Sequence, residues 1–326
     1  MKFDKLLPTS TVGSFEKPDY LRRAQVEFKK GKITAADLLS KQEKAVKEII
    51  ELQERIGLDI LVDGEMARGE MTVFFGENFG GMEISDWVRS YGNRYYRKPI
   101  VKSAIKWEKP ITVDIFRFAQ NLTDKPVKGM FTGPYTMLDW SFDEYYGDRR
   151  EAVLAFAREY RREAEELKKA GCQILQIDEP AASVRMDEWP LVAEALEIIT
   201  KDLGMYTICH ICYGEFEKIE EKHGFSILPV DNLDLEFANS NFRVLDFFKG
   251  KNLPQDIAAG VFDVHTHQVP SVDTIVKNIE KIMALFPSEK LWIKPDCGLR
   301  TRTMAEAEES LKNMVEATEI VRGRLD

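Results

Sequence analysis

Short β-branched and apolar runs recur along the chain, and each ends in polar or turn-forming sequence. They are LLPTSTVGS near the start, LDILVDGE (58–65), VKGMFTGP (127–134), CQILQIDEP (172–180), MYTICHIC (205–212), NLDLEFAN (232–239), DIAAGVFDVH (256–265) and LWIKPDCG (291–298). Runs of this length and composition predict strands. Between most of them lie charge-rich stretches with apolar positions at helical spacing. The clearest are DLLSKQEKAVKEIIELQERIG, DRREAVLAFAREYRREAEELKKAG, MDEWPLVAEALEIITKDLG and VDTIVKNIEKIMALF. Such stretches predict amphipathic helices that cover a sheet. Strand and helix alternating through eight strands predict the α/β class and, within it, a (β/α)8 TIM barrel.

Residues 66–124 break the repeat. They carry GENFGGM, the tyrosine-rich SYGNRYYRKP and IVKSAIKWEKPITVDIF, which reads as a hairpin. This stretch is expected to be an insertion after the second strand, near the barrel mouth. A domain boundary would show a Pro/Gly/Ser-rich or charged linker. None is evident, so residues 1–326 are expected to form a single domain.

Composition narrows the function. With 326 residues, 44% of them hydrophobic and 31% charged, the chain can bury a large core. Its formal net charge is -9. No basic stripe interleaves with aromatic residues, which argues against nucleic acid as a partner. The first residues lack the continuous apolar core of a signal peptide, and nowhere do about 18 apolar residues run together. No membrane association is expected, and the expected compartment is the cytoplasm. Four cysteines in a chain this long do not form a disulfide framework.

The chemistry gathers at the ends of the predicted strands. His210 and Cys212 are two apart in an extended run and therefore face the same way, while Cys209 and Ile211 face the other. Glu236 and Cys297 stand at the ends of two further runs. An imidazole, thiolates and one carboxylate suit zinc better than calcium or magnesium, which prefer oxygen. Cys172 and Cys209 read as packing residues, since cysteine is among the most buried residue types. Ser14, Glu65, Thr132, Asp178 and His265 also fall at strand ends, where barrel chemistry is placed.

Taken together, LPTSTVGSFEKP, LDILVDGEMARGEMTVFFGENFGGM, SYGNR, MFTGPYTMLDWS, LQIDEPA, CHICYGEF, GVFDVHTHQVPS and WIKPDCGLRTR resemble the catalytic domain of cobalamin-independent methionine synthases. The resemblance runs from about Leu7 to Arg302 and is closest to the short, single-domain core enzymes of that family. It implies a zinc-dependent methyltransferase that makes methionine from homocysteine, with zinc held by His210, Cys212, Glu236 and Cys297. It further implies that Glu65 and Asp178 take the substrate ammonium. The backbone of Val12 and the hydroxyl of Ser14 would meet the carboxylate, with Gly13 permitting close approach, and Met71 would pack on the substrate chain. His265 is the implied proton donor to the departing methyl carrier, work suited to an imidazole. His267 departs from the long enzymes' pattern.

On the methyl-donor side the resemblance points to Trp140, Ser90 and Arg94, with Gly92 between the last two. The long enzymes read a carboxylate a few residues after their Asp-Glu-Pro, and Val184 stands near that position here. That departure and the single barrel favour methylcobalamin or a methylated corrinoid protein as donor, with methyltetrahydrofolate as the alternative. Two other readings stay open. One is methyl transfer to another thiol such as coenzyme M, against which the acidic pair Glu65 and Asp178 argues. The other is a non-catalytic, zinc-stabilised module that binds a corrinoid protein.

Overall fold

The structure is a computed structural model, and it describes residues 5–89, 95–214 and 216–325. Eight strands concern the site: β1 (Phe79–Ile84), β2 (Pro99–Trp107), β3 (Lys128–Thr132), β4 (Ile174–Asp178), β5 (Tyr206–Ile211), β6 (Asn232–Leu235), β7 (Asp256–Gly260) and β8 (Leu291–Lys294). The last six form one sheet in the order β8-β7-β6-β5-β4-β3. The pairs β4–β5, β6–β7 and β7–β8 are parallel, with Ile174 opposite Tyr206, Asp256 opposite Asn232 and Ile257 opposite Leu291. Nearly every residue of these strands is buried. That is the pattern of a parallel sheet covered on both faces, and it explains why the runs read as continuously apolar. The α/β class is thus borne out.

Contacts divide the chain into two compact units, one of Met1–Ala67, Ile115–Lys128 and Asn232–Asp326, the other of Arg68–Asp114 and Gly129–Asp231. In the first unit the two amino-terminal runs are not regular strands. Thr9 makes an isolated parallel bridge to Ile293, and Leu61 makes one to Val127. The cause lies in side chains that take over ladder positions: Asp59 accepts from both the amide and the hydroxyl of Thr9, at 2.9 and 2.8 Å. The Ser10 hydroxyl likewise donates to the Ile60 carbonyl. Helix Ala35–Ile56 starts with a Thr34–Asp37 capping box and stops at Gly57, whose φ of 94° only glycine adopts without strain.

The second unit contains the stretch that broke the repeat. Its β2 pairs antiparallel with β1, 20 or so residues earlier, and parallel with the short strand Phe142–Asp143, not with the residues directly after it. The hairpin expected within residues 100–116 is therefore corrected: a helix, Val113–Gln120, begins there. Its start is set from far along the sequence. The buried carboxylate of Glu163 accepts from the amides of Ile111 and Thr112, from the Thr112 hydroxyl and from Trp107 Nε1. Among the described residues no helix is long and apolar enough to cross a membrane.

Candidate metal centre and its flanking loops

Strand β5 delivers His210 at its carboxyl end and Cys212 just beyond, both buried, at 3% and 5% exposure. The strand pairing fixes their height. Asp178 lies opposite His210 in the β4–β5 register, and the Glu179 amide donates to the His210 carbonyl at 2.9 Å. The Ser183 hydroxyl donates to the Cys212 carbonyl at 3.1 Å. Among the described residues one group could hold a metal ion: His210, Cys212 and Cys297, whose ligand atoms all lie within 4.8 Å of one another. Glu236 is buried at the end of β6 but stands outside that group of three.

Further features of the second unit surround this strand. Asp178 is 7% exposed, and its Oδ1 accepts from Gln176 Nε2 at 2.7 Å, which orients the carboxylate. Glu179 beside it is fully buried and accepts from the amides of Tyr135 and Thr136 and from the Thr136 hydroxyl. Burial pushes its carboxyl up to about 7, against those hydrogen bonds, which pull it down. Glu179 thereby caps helix Pro134–Asp139, at whose end Trp140 sits half-buried. A Cβ on Gly133 would lie 2.2 Å from the Glu179 carboxyl, so that glycine is what lets the cap form. Met71 opens the short helix Met71–Gly76, and its carbonyl accepts from the Thr132 hydroxyl at 3.3 Å.

The loops of the first unit are tied to one another by backbone hydrogen bonds. The Phe15 amide donates to Gly64 and the Leu299 amide to Ser14, at 3.2 and 2.7 Å, so the Ser14, Glu65 and Cys297 segments sit side by side. A Cβ on Gly298 would meet Ser14 Oγ at 2.1 Å. The buried Lys128 ammonium holds the carbonyls of Thr11 and Val12, at 2.6 and 3.4 Å. Glu65 adopts a left-handed backbone, φ 55°, sustained by its amide's bond to Asp63 Oδ1. A non-glycine residue held there stores strain of a kind that clusters at functional sites.

Two further corners of this unit differ sharply. Asp296, 0% exposed, accepts from the amides of Phe237, Ala238 and Asn239. Burial pushes its carboxyl up to about 7, with Lys294 opposing and Glu236 adding to the rise. The Lys294 ammonium reaches Asp234 Oδ1 at 2.6 Å, and it also donates to the Asp296 carbonyl at 2.9 Å. His265, by contrast, lies in an exposed loop with Nδ1 2.7 Å from Asp263 Oδ1. The buried Arg302 closes that loop by donating to the carbonyls of Asp263 and Gln268, both at 2.9 Å. His267 is 70% exposed and faces Glu306 at 3.0 Å.

Ser90 and Arg94, with Gly92, fall in residues 90–94, outside the described residues. Cys172 is buried, and burial pushes its thiol up to about 12; Cys209 is buried as well. Asp296, Glu179, Lys294 and Arg302 were not singled out from the sequence. The one sequence signal for the first three is a charged residue inside, or directly after, an otherwise apolar run.

A family model described as "Cobalamin-independent synthase, Catalytic domain" matches residues 7–320. A 5-methyltetrahydropteroyltriglutamate–homocysteine methyltransferase of Proteus mirabilis is 39% identical over 97% of this chain and 43% of its own length. The enzyme of that name from Campylobacter jejuni subsp. doylei is 38% identical over 98% of this chain and 44% of its own. The chain thus spans less than half the length of these relatives. Among solved structures, a B12-independent methionine synthase from Shewanella sp. W3-18-1 in complex with selenomethionine matches with TM-score 0.84. It is 26% identical, and the match covers 98% of this chain and 99% of that one. A second, from Listeria monocytogenes, matches at TM-score 0.76 and 23% identity over 97% and 99% of the two chains, and supports the fold.

These findings correct the expectation of methylcobalamin, or of a corrinoid protein, as methyl source. The matched family is cobalamin-independent, and the relatives' names specify a methyltetrahydropteroyltriglutamate donor. The expectation leaned on the single barrel and on Val184. That side chain is 71% exposed at the end of a short 3-10 turn, and an exposed valine carries no information about a donor's chemistry.

Proposed function

The chain belongs to the cobalamin-independent synthase catalytic-domain family, and from that premise we propose that it methylates the sulfur of homocysteine to give methionine, with a methyltetrahydropteroyl compound as donor. The observation that carries the reading is the group of one imidazole and two thiols, buried His210 and Cys212 with half-buried Cys297, within 4.8 Å of one another. This donor set fits zinc: soft sulfur and imidazole ligands at tetrahedral reach, two of them buried and the third half-open, as a site that must admit a substrate requires. His210, Cys212 and Cys297 would hold the ion, with Glu236 as the fourth and exchangeable ligand. When bound there, zinc supplies the positive charge that keeps a substrate thiol ionised at neutral pH.

The remaining residues bind and orient. The carboxylates of Asp178 and Glu65 take the homocysteine ammonium, while the Ser14 hydroxyl and the backbone at Val12 meet its carboxylate. Met71 packs along the substrate chain and Trp140 against the donor ring. A lone pair on the homocysteine sulfur forms the new bond to the methyl carbon as the bond from that carbon to the donor nitrogen breaks. His265 delivers a proton to that nitrogen, so that the carrier leaves neutral. The Asp263 carboxylate at His265 Nδ1 leaves the opposite ring nitrogen for this transfer.

We infer, further, that the strands close into a (β/α)8 barrel. The bridges Thr9–Ile293 and Leu61–Val127, and the bonds of the Asp59 and Ile60 amides to Thr9, support this, because they place the two amino-terminal segments between β8 and the chain leading into β3. The test of the function is methionine formation by zinc-loaded protein from homocysteine and methyltetrahydropteroyl triglutamate or monoglutamate. Methionine with either donor, abolished in Cys297→Ser, supports the proposal. No methionine from either by metal-replete protein contradicts it.

A further inference from the structure

Asp296 sits between two of the residues that the proposed function assigns to zinc, yet its side chain points away from that task and into the fold. Its Oδ1 accepts from the Phe237 and Ala238 amides at 3.0 and 3.1 Å, and its Oδ2 from the Asn239 amide at 2.6 Å. Those three amides immediately follow Glu236. Its own backbone leads directly into Cys297. One carboxylate therefore fixes the turn that carries one candidate ligand and the peptide that carries another, 61 positions away in sequence (297 − 236).

The surroundings hold Asp296 in that pose. The Asp296 amide donates to Phe262 at 3.0 Å, and its carbonyl accepts from the Lys294 ammonium. Lys294 reaches Asp234 across the intervening strand β7, whose residues at those levels are Ala258 and Gly260. Only small residues there leave room for the lysine stem and the carboxylate. A Cβ added to Gly260 would lie 2.0 Å from Asp296 Oδ1.

We propose that Asp296 is a positioning residue for the metal centre, setting Glu236 and Cys297 in one geometry through the backbone of both. This rests on the zinc reading of the site. The chemistry explains why aspartate is needed: three amide donors converge on one acceptor-only group. The near-isosteric Asn must turn its NH2 toward at least one of those donors, whichever way it is flipped.

The test uses the full-length chain and two variants, Asp296→Asn and Gly260→Ala, the second of which displaces the carboxylate without altering it. Zinc affinity is read by competition with a chromophoric chelator, and ligand geometry by the thiolate charge-transfer bands of the Co2+-loaded protein. We expect both variants to lose ~10–100-fold in zinc affinity and to shift those bands, the range found for groups that orient metal ligands. Glu236→Gln should lower zinc affinity in the native background and lower it much less in Asp296→Asn, because the carboxylate it removes is already misplaced. A merely structural role for Asp296 would lower the melting temperature but leave the bands unmoved and the two losses independent. Zinc affinity within twofold of the native chain, with unchanged bands, would overturn the proposal. Should Asp296→Asn fail to fold, Gly260→Ala with these readouts decides alone. Failure of the zinc reading itself looks different: the native chain would bind no zinc, or Cys297→Ser would bind it equally well.

Discussion

Two corners of the first unit carry candidate chemistry and are built in opposite ways. At the ends of β6 and β8, Asp234, Glu236, Lys294 and Asp296 are 5% exposed or less; Lys294 ties Asp234 to Asp296, and the Asp296 carboxylate holds the amides that follow Glu236. In the loop after β7, His265, Thr266, His267 and Gln268 are all exposed, and the His265 ring rests on the Asp263 carboxylate. On the proposed function, the difference follows from the tasks. Metal ligands must keep one geometry in a water-poor setting, so the fold over-determines them with buried polar groups that must all be satisfied. The proposed proton donor would be recharged from water after each turnover, and its loop, held by Arg302 at Asp263 and Gln268 and by the surface contact of His267 with Glu306, keeps the His265 ring open to solvent.

The comparison breaks most visibly at the metal corner. Cys297→Ser should lower methionine formation by about 10³-fold or more while shifting the melting temperature little, because the loss is of nucleophile activation and not of packing. Metal content measured alongside turnover checks this. Lys294→Met is next in effect and is read in stability. It leaves Asp234 buried without its cation, which costs about 3–5 kcal/mol in a urea titration. A loss under 1 kcal/mol would mean that the buried pair is not what holds this corner.

At the exposed loop the expected effects are kinetic. His265→Gln should reduce turnover by about 10²-fold, with zinc affinity unchanged. A fall in zinc affinity would instead tie this loop to the metal.

The smallest effect belongs to His267, whose hydrogen bond is the largest cause holding the Glu306 carboxyl down at about 2, well below the ordinary glutamate range. The folded-state pKa is depressed, so the stabilising contribution is present above about pH 4.5 and is lost as pH falls from there toward about 2. His267→Ala should therefore flatten the fall in melting temperature across that window and leave turnover at pH 7 unaltered.

How much of this was legible follows the range of the interactions. Strand alternation alone places His210 and Cys212 on one face, because two residues of extended chain decide it. The sheet strands were legible for the same local reason: their apolar runs are buried on both faces. The amino-terminal runs were overread, since Asp59 and Thr9, 50 positions apart, replace ladder bonds with side-chain bonds. The hairpin at residues 100–116 failed because Glu163, some 50 residues on, caps a helix there. Asp296, Glu179 and Lys294 were passed over because burial turns a loop-end charge into a structural tie, and burial is a property of the whole fold. The donor was misread for a different reason: it was inferred in part from a carboxylate that is missing, and the exposed Val184 puts no polar group in its place.

The central claim is a sulfur-rich centre that takes homocysteine directly, and zinc X-ray absorption reads it without passing through turnover. The account predicts two sulfur neighbours at about 2.3 Å in the zinc-loaded chain and three after homocysteine is added, with no change on adding homoserine. A sulfur count that stays at two with homocysteine bound would contradict it.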